Sequence, residues 1–371
     1  MADQRVYPND QSFINLYNKL IKEGKTVNDI AKEAGYSDPA SVRRRKRNIV
    51  KRTGDETLFY DPENMREMFA NTLPDKSNEF TPVHLPDEEL DAETLVEKRI
   101  EEYTKKAEAL EARKLIPVKV NVKGPFGITF FGDPHVDDDG CNIALLKKHT
   151  DMVVATEGMM AVNIGDTTNN WIGRLSRLWG EQGTSQNQAA ILAEWFINRL
   201  PWLCILLGNH DLWTGGKRRN LISWIYRHSQ YNGGVLEDWR ARLKLQAPNG
   251  REIILNCAHD FPGHSMWHAL HGPLKHSKMA YPDDDILVCG HKHTSAYGWY
   301  CGESRLTHMI RVGGYKRYDS HSDKLGFPVL DAPAAQTAII DPEASDHCLI
   351  TVFADPMEAR EYLAFKRSRG K

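Results

Sequence analysis

Five short apolar runs punctuate the middle of the chain, each broken off by a glycine or a polar residue: "GITFF" before Gly132, "MMAVNI" before Gly165, "WLCILL" before Gly208, "EIILNCA" before His259 and "ILVC" before Gly290. Runs of this length and bounding read as buried strands. Two more strands are expected at Leu306–Val312 and in "HCLITVF", from His347 to Phe353. The amino-terminal pattern is helical instead. Phe13, Ile14, Leu16, Tyr17, Leu20 and Ile21 share one helical face that stops at Gly24. A short helix around Ile30 and Ala31 follows, then a turn at Gly35 and a third helix opened by Asp38 with Pro39 in its first turn. From 55 to 86 there is no sustained period, which reads as loop with a helix around Pro62 to Asn71. Residues 87–114 predict one long charged helix, acidic first and basic last as its dipole favours. Its apolar residues Leu90, Leu95, Val96, Ile100, Tyr103, Ala107 and Leu110 form a narrow stripe. Such a stripe suits either a dimerising coiled coil or a spacer lying against the domain that follows.

Each apolar run ends in the same kind of residue. Asp133 and His135 follow the first, Asp166 the second, Asn209, His210 and Asp211 the third, His259 the fourth, and His291 and His293 the fifth. Open α/β sheets collect their functional groups at strand ends in this way. Carboxylate, amide oxygen and imidazole suit divalent manganese, iron or zinc, and no cysteine stands among these residues, which argues against a zinc-thiolate site. Two ions about 3.5–4 Å apart require a bridging carboxylate and together clamp an oxygen nucleophile and a phosphoryl oxygen. Asp166 is the natural bridge.

The ordered set Asp-x-His, Gly-Asp, Gly-Asn-His-Asp, a lone His after a strand and Gly-His-x-His resembles the calcineurin-like metallophosphoesterase superfamily, from Val118 to Val352. The resemblance implies a two-sheet α/β sandwich and two divalent metal ions, manganese first, with iron, zinc or magnesium as alternatives. It assigns Asp133, His135, Asp166 and His293 to one ion, and Asp166, Asn209, His259 and His291 to the other. His210 is left to face the phosphoryl group as general acid or transition-state donor. Asp211 would orient His210 through its other ring nitrogen. His264, His268 and His271 are nearby alternatives to His259, which is preferred because it directly follows its run. Asn169 and Asn170 are candidate outer-shell or substrate contacts. Lys217, Arg218 and Arg219 could grip a phosphate or lie on a solvated loop, and Trp171, Arg174 and Arg177 could line a cleft or simply pack at helical spacing. Tyr315, Lys316 and Arg317 follow a Gly-Gly turn near where relatives close the site.

The amino-terminal pattern resembles a helix-turn-helix module, with Ala31, Gly35 and Val42 at its small, tight and apolar positions. Its third helix carries Arg43, Arg44, Arg45, Lys46, Arg47, Lys51 and Arg52, on a chain whose net charge is only −2. A cationic stripe of that density suits a DNA phosphate backbone, and the alternative is a protein-interaction module. No run approaches the ~18 apolar residues of a membrane span, and the polar start carries no signal-peptide pattern. The six cysteines are scattered, as reduced thiols of a cytoplasmic protein are. The expected organisation is a DNA-binding domain at 1–54, a linker and charged helix at 55–115, a catalytic domain at 116–356 and a frayed basic tail at 357–371. This combination resembles proteins of phage or prophage type. The reading is a phosphodiesterase or nuclease directed to DNA, with a phosphomonoesterase acting on nucleotides or phosphoproteins, or a DNA-binding regulatory or assembly protein, as alternatives. Self-association would use the 87–114 helix.

Overall fold

The computed structural model describes residues 9–61, 90–214, 220–230, 233–302, 305–318 and 332–369, and the chain divides into two units, 1–91 and 92–371. Among the described residues of the second unit, twelve strands form two six-stranded sheets. One runs β12 (Ile350–Phe353), β11 (Ala335–Ile340), β2 (Phe126–Phe131), β3 (Met159–Asn163), β4 (Trp202–Leu207) and β5 (Val235–Asp238). The other runs β1 (Ile116–Lys119), β6 (Arg240–Gln246), β7 (Glu252–Ala258), β8 (Ile286–Cys289), β10 (Leu306–Arg311) and β9 (Ala296–Cys301). The architecture is a two-sheet α/β sandwich.

The burial of β2 shows how the layers form. Phe126, Ile128 and Phe130 point between the sheets, into a cluster with Leu243, Leu255, Val288 and Ile310. Phe131 points to the outer face, where its ring meets Phe196 and Trp202, each at 5.8 Å, and Tyr315 at 6.2 Å. Successive strand side chains point to opposite faces, so a strand covered on both is apolar almost throughout. Each such ring contributes about 1.5–3 kcal/mol when fully buried. Helices Ile143–Ala155, Gln186–Arg199 and Pro356–Arg369 supply the outer layer. All five apolar runs are strands: β2, β3 and β4 lie side by side and parallel in one sheet, and β7 and β8 do so in the other.

Three expectations change. The basic end of the chain is no frayed tail: Pro356–Arg369 is a helix that buries Ala359 and Leu363, and Arg367 donates to the carbonyls of Lys123 at 3.1 Å and Pro125 at 2.8 Å. The segment Gly173–Gly180 forms 3-10 turns rather than an α-helix. The helix Ala92–Ala112 buries none of its residues, so it does not lie along the sandwich as a spacer would. No described helix is long and apolar enough to cross a membrane. The expected helix at Pro62–Asn71 and the cluster Lys217, Arg218 and Arg219 lie outside the described residues.

The first unit packs helices Asp10–Lys22, Val27–Glu33 and Pro39–Thr53 around Phe13, Ile30, Val42 and Ile49. Side chains of Asn9, Thr26 and Asp38 cap the three helices, and Gly35 takes φ 71° in the turn. Phe59 is buried in the same core, so the unit continues past residue 54. Two of the seven stripe cations are turned inward, contrary to expectation. Arg45 donates to the Tyr36 hydroxyl at 2.7 Å and lies 4.7 Å from the Phe13 ring, while Lys46 sits 5.0 Å from the Tyr17 ring and 5.4 Å from Phe59. A helix surrounds itself with side chains, so a cationic run cannot keep every member on one open face. Arg43, Arg44, Arg47 and Lys51 are exposed, and Arg52 pairs with Asp10.

Within the sandwich, Arg311 is buried in full and donates to Ala269 O at 2.8 Å, Gly290 O at 2.7 Å and the Asp260 carboxylate at 3.1 Å. Removing one member of a buried ion pair costs about 3–5 kcal/mol because its partner is left uncompensated. Arg311→Met should therefore lower the unfolding free energy of this unit by that amount, read from the denaturant midpoint. A change below about 1 kcal/mol, the scale of exposed pairs, would show that this contact does not anchor the sheet.

Candidate metal centre

Where the strands end, the backbone turns sharply. Seven described non-glycine residues have positive φ, and five of them are the expected ligands Asp133 (34°), His135 (41°), Asp166 (52°), His291 (67°) and His293 (50°). The other two are Asn170 (43°) and Trp239 (61°). The left-handed region costs a side-chain-bearing residue about 1–3 kcal/mol, so it persists only where neighbours hold it. Here His135 N donates to Asp166 O at 3.1 Å, and His291 N donates to Asp133 Oδ2 at 2.7 Å. These turns fold the imidazoles and carboxylates back over the strand edges, which accounts for two histidines within "GHKH". Gly208 gives them space: an added Cβ there would collide with Asp166 and come within 2.7 Å of His259 Cε1.

His259 shows what the enclosed space holds. Its Nδ1 lies 2.9 Å from Ile164 O, and a carbonyl only accepts, so Nδ1 carries the hydrogen. In the neutral ring the lone pair is then on Nε2. Around Nε2 stand Asn209 Oδ1 at 2.9 Å, His291 Nδ1 at 3.1 Å and Asp166 Oδ2 at 3.2 Å. Four polar atoms converge on one point, an arrangement that a cation, or a proton carried by one of the rings, reconciles. Burial disfavours the imidazolium, but the Asp166 charge outweighs it and raises His259 to about 9. Burial likewise works against the Asp166 carboxylate, and His259 overrides it to hold Asp166 below its ordinary value.

The other half of the site has the same need. Asp133 Oδ1 and His135 Nδ1 are buried without a hydrogen-bond partner. Burial pushes the Asp133 carboxyl up to about 8 and the His135 imidazole well down. Burial, with Lys316 assisting, lowers His293 to about 4, so its ring is neutral and can offer a lone pair. The His293 ring lies 5.3 Å from that of His135. Ligand atoms of Asp166, His259 and His291 lie within 4.8 Å of one another, and so do those of Asp166, His135 and His210. Asp166 is common to both groups. Carboxylates, amide oxygen and neutral imidazoles in this arrangement fit a pair of divalent ions bridged by Asp166. His264, His268 and His271 are exposed, which leaves His259 as the buried histidine of its segment.

His210 is held differently from expectation. Its Nδ1 lies 2.6 Å from Asn169 O, so a backbone carbonyl rather than Asp211 orients the ring. Asp211 accepts instead from Gly208 N at 3.0 Å and Thr167 N at 3.3 Å, tying two strand-end turns together. Adjacent residues of a helix do not face each other, and both lie in the short helix Asn209–Leu212. His210 Nε2 is 4.0 Å from Asp166 Oδ2. Asn170 donates to His210 O at 2.7 Å, whereas Asn169 pairs with Asp137 and Asp138.

A cleft of about 620 Å³ opens beside His135, His210 and His293. Trp171 and Trp213 wall it, their rings 5.3 Å and 4.1 Å from His210, and Lys316, Asp138, Asp139 and Glu181 add charge. Lys316 pairs with Asp138 at 2.8 Å. Arg174 and Arg177 are exposed on the 3-10 turns and are not among the lining residues. Tyr315 turns into the core to meet His149 at 2.8 Å, and Arg317 donates to Ala332 O. Sequence patterns did not single out Trp213 or Trp239, whose ring stands 5.0 Å from His259.

No protein-family model and no curated protein matches the chain. Solved structures do. A putative 5'-nucleotidase from Staphylococcus aureus is 12% identical over 65% of this chain and 58% of its own, with a TM-score of 0.38. The calcineurin-like phosphoesterase YfkN from Bacillus subtilis is 10% identical over 66% of this chain and 99% of its own, at 0.33. Zinc-bound Vps29 from Entamoeba histolytica is 10% identical over 62% and 97%, at 0.28. At such scores the likeness is weak, and the chemistry of the site is read from its own atoms.

Titration of chelator-treated protein with manganese should show two equivalents bound per chain by calorimetry. Asp166→Asn should lose both, since the bridge serves each ion, while His210→Ala should keep both. Loss of one equivalent on His210→Ala would instead place His210 among the ligands.

Proposed function

We propose that this chain is a dinuclear metal-dependent phosphoesterase of the calcineurin-like kind, acting on phosphodiester bonds in DNA. The observation that carries the reading is the convergence of lone pairs on Asp166 and His259 from the ends of five strands in two sheets. Asp133, His135, Asp166 and His293 would hold one ion, and Asp166, Asn209, His259 and His291 the other. When bound, such ions supply a water activated at neutral pH and positive charge for the phosphoryl oxygens. Manganese suits this donor set first, with iron, zinc or magnesium as alternatives.

The protein's own groups do the rest. Asn169 O accepts from His210 Nδ1, so Nε2 carries the lone pair in the neutral ring and passes a proton to the leaving oxygen only from the imidazolium, the form that Asp166 at 4.0 Å favours. Burial lowers the His210 pKa, and Asp166 opposes that shift. Proton donation of this sort contributes about 10²–10⁴-fold to rate. Asp211 is a positioning residue that braces the Gly208 and Thr167 turns. Trp171 and Trp213 keep water away from the flanks of His210.

DNA is favoured as substrate by the exposed Arg43, Arg44, Arg47 and Lys51 on the third helix of the amino-terminal unit. Three of these, Arg43, Arg47 and Lys51, are spaced by four and share a helix face. One observation favours a second reading, a phosphomonoesterase acting on nucleotides: Asp138, Asp139 and Glu181 rim the cleft, and carboxylates there disfavour a polyanion over a small phosphoester. Thiols without disulfides fit a reducing cytoplasm.

With manganese, the protein should cleave end-labelled single- or double-stranded DNA, and excess chelator should abolish the activity. Arg43→Ala, Arg44→Ala, Arg47→Ala and Lys51→Ala together should flatten the log–log salt dependence of duplex binding by about 3–4, at roughly 0.9 per phosphate contact. The same variant should hydrolyse a small chromogenic diester at the wild-type rate. Equal DNA binding by wild type and variant, with turnover of nucleoside monophosphates only, would establish the second reading. Undiminished hydrolysis in chelator would refute both.

A further inference from the structure

The helix Ala92–Ala112 is 21 residues long and buries none of them. Most helical stability in proteins comes from packing an apolar face rather than from propensity. Yet Val96, Ile100, Tyr103 and Leu110 stand 53%, 60%, 74% and 59% exposed. Together with Ala107 they recur at intervals of four, three, four and three, which is the a/d seam of a heptad repeat. Ile100 and Ala107 then occupy a, and Val96, Tyr103 and Leu110 occupy d.

The flanking charges decide what covers the seam. The g positions within the seam are basic (Arg99 and Lys106), and the e positions are Glu97, Thr104 and Glu111. Residues at e and g set partner and orientation in coiled coils. In a parallel, in-register pair each g residue faces the e residue of the next heptad on the other helix, so Lys106 meets Glu111 twice by symmetry. In an antiparallel pair g faces g and e faces e, which sets cations against cations and glutamates against glutamates. Arg113 is occupied with Glu237 at 2.7 Å, and the Glu111–Lys114 pair lies fully at the surface, where Glu111 can change partners. We propose that the Val96–Leu110 seam is the docking face for a second copy of this chain, the two helices running parallel and in register. A dimer so formed carries two copies of the Arg43–Lys51 face. This inference stands whether or not the chain proves to be a phosphoesterase.

Sedimentation equilibrium on the full chain tests it. Wild type should show a reversible monomer–dimer equilibrium, and Ile100→Lys should be monomeric with an unchanged thermal unfolding midpoint for the sandwich. Lys106→Glu and Glu111→Lys should each weaken dimerisation about fivefold to tenfold, the sum of two exposed pairs lost and two repulsions gained. Lys106→Glu combined with Glu111→Lys in one chain should restore it. A wild type that stays monomeric at its highest soluble concentration, or a dimer that survives Ile100→Lys, would overturn the proposal. Tighter association of Lys106→Glu would overturn the parallel arrangement, because that change relieves repulsion only between antiparallel helices.

Discussion

The crowding of lone pairs around Asp166 is the constraint on which the rest of the site depends. Asp166 Oδ2, Asn209 Oδ1 and His291 Nδ1 all approach His259 Nε2, from strand ends in both sheets. Without an ion, these contacts need a proton on one of the rings, such as His291 Nδ1 donating to His259 Nε2. A divalent ion at the centre would instead take a lone pair from each of these atoms. The left-handed backbone at Asp133, His135, Asp166, His291 and His293 serves this same end: five turns in a sparsely populated conformation aim five side chains inward. The apolar sandwich beneath supplies the rigidity that such strain demands.

The two sheets also explain how the site is divided. Strands β2, β3 and β4 deliver Asp133, His135, Asp166 and Asn209, whereas β7 and β8 deliver His259, His291 and His293. In the proposed assignment neither sheet holds a complete ligand set alone, so bound ions would also pin the sheets together at one edge. Arg311, on β10 and beneath the Gly290 carbonyl, is the buried brace for the second group. Substitutions in the core between the sheets should therefore reach the site through spacing rather than through chemistry.

Much of this was legible in the sequence because its signals are local. An apolar run, a glycine and a chemically capable residue lie within a few positions, and a strand's end fixes where that residue points. What stayed hidden depends on distant backbone. The orienting partner of His210 is the carbonyl of Asn169, and carbonyls leave no mark in a sequence; a neighbouring aspartate drew attention instead. Trp213 and Trp239 reach the site through turns whose direction only tertiary packing sets. In the amino-terminal unit the cationic run read as one stripe, although helix geometry sends Arg45 and Lys46 inward over aromatic rings. The strand Ala335–Ile340 escaped notice because "APAAQTA" has too little bulk to register as a strand.

Anomalous diffraction from crystals grown with manganese tests the central claim most directly. The account predicts two peaks about 3.5–4 Å apart, one among Asp133, His135, Asp166 and His293, the other among Asp166, Asn209, His259 and His291. A centre without manganese, in which His259 Nε2 keeps a proton shared with Asp166, would contradict it.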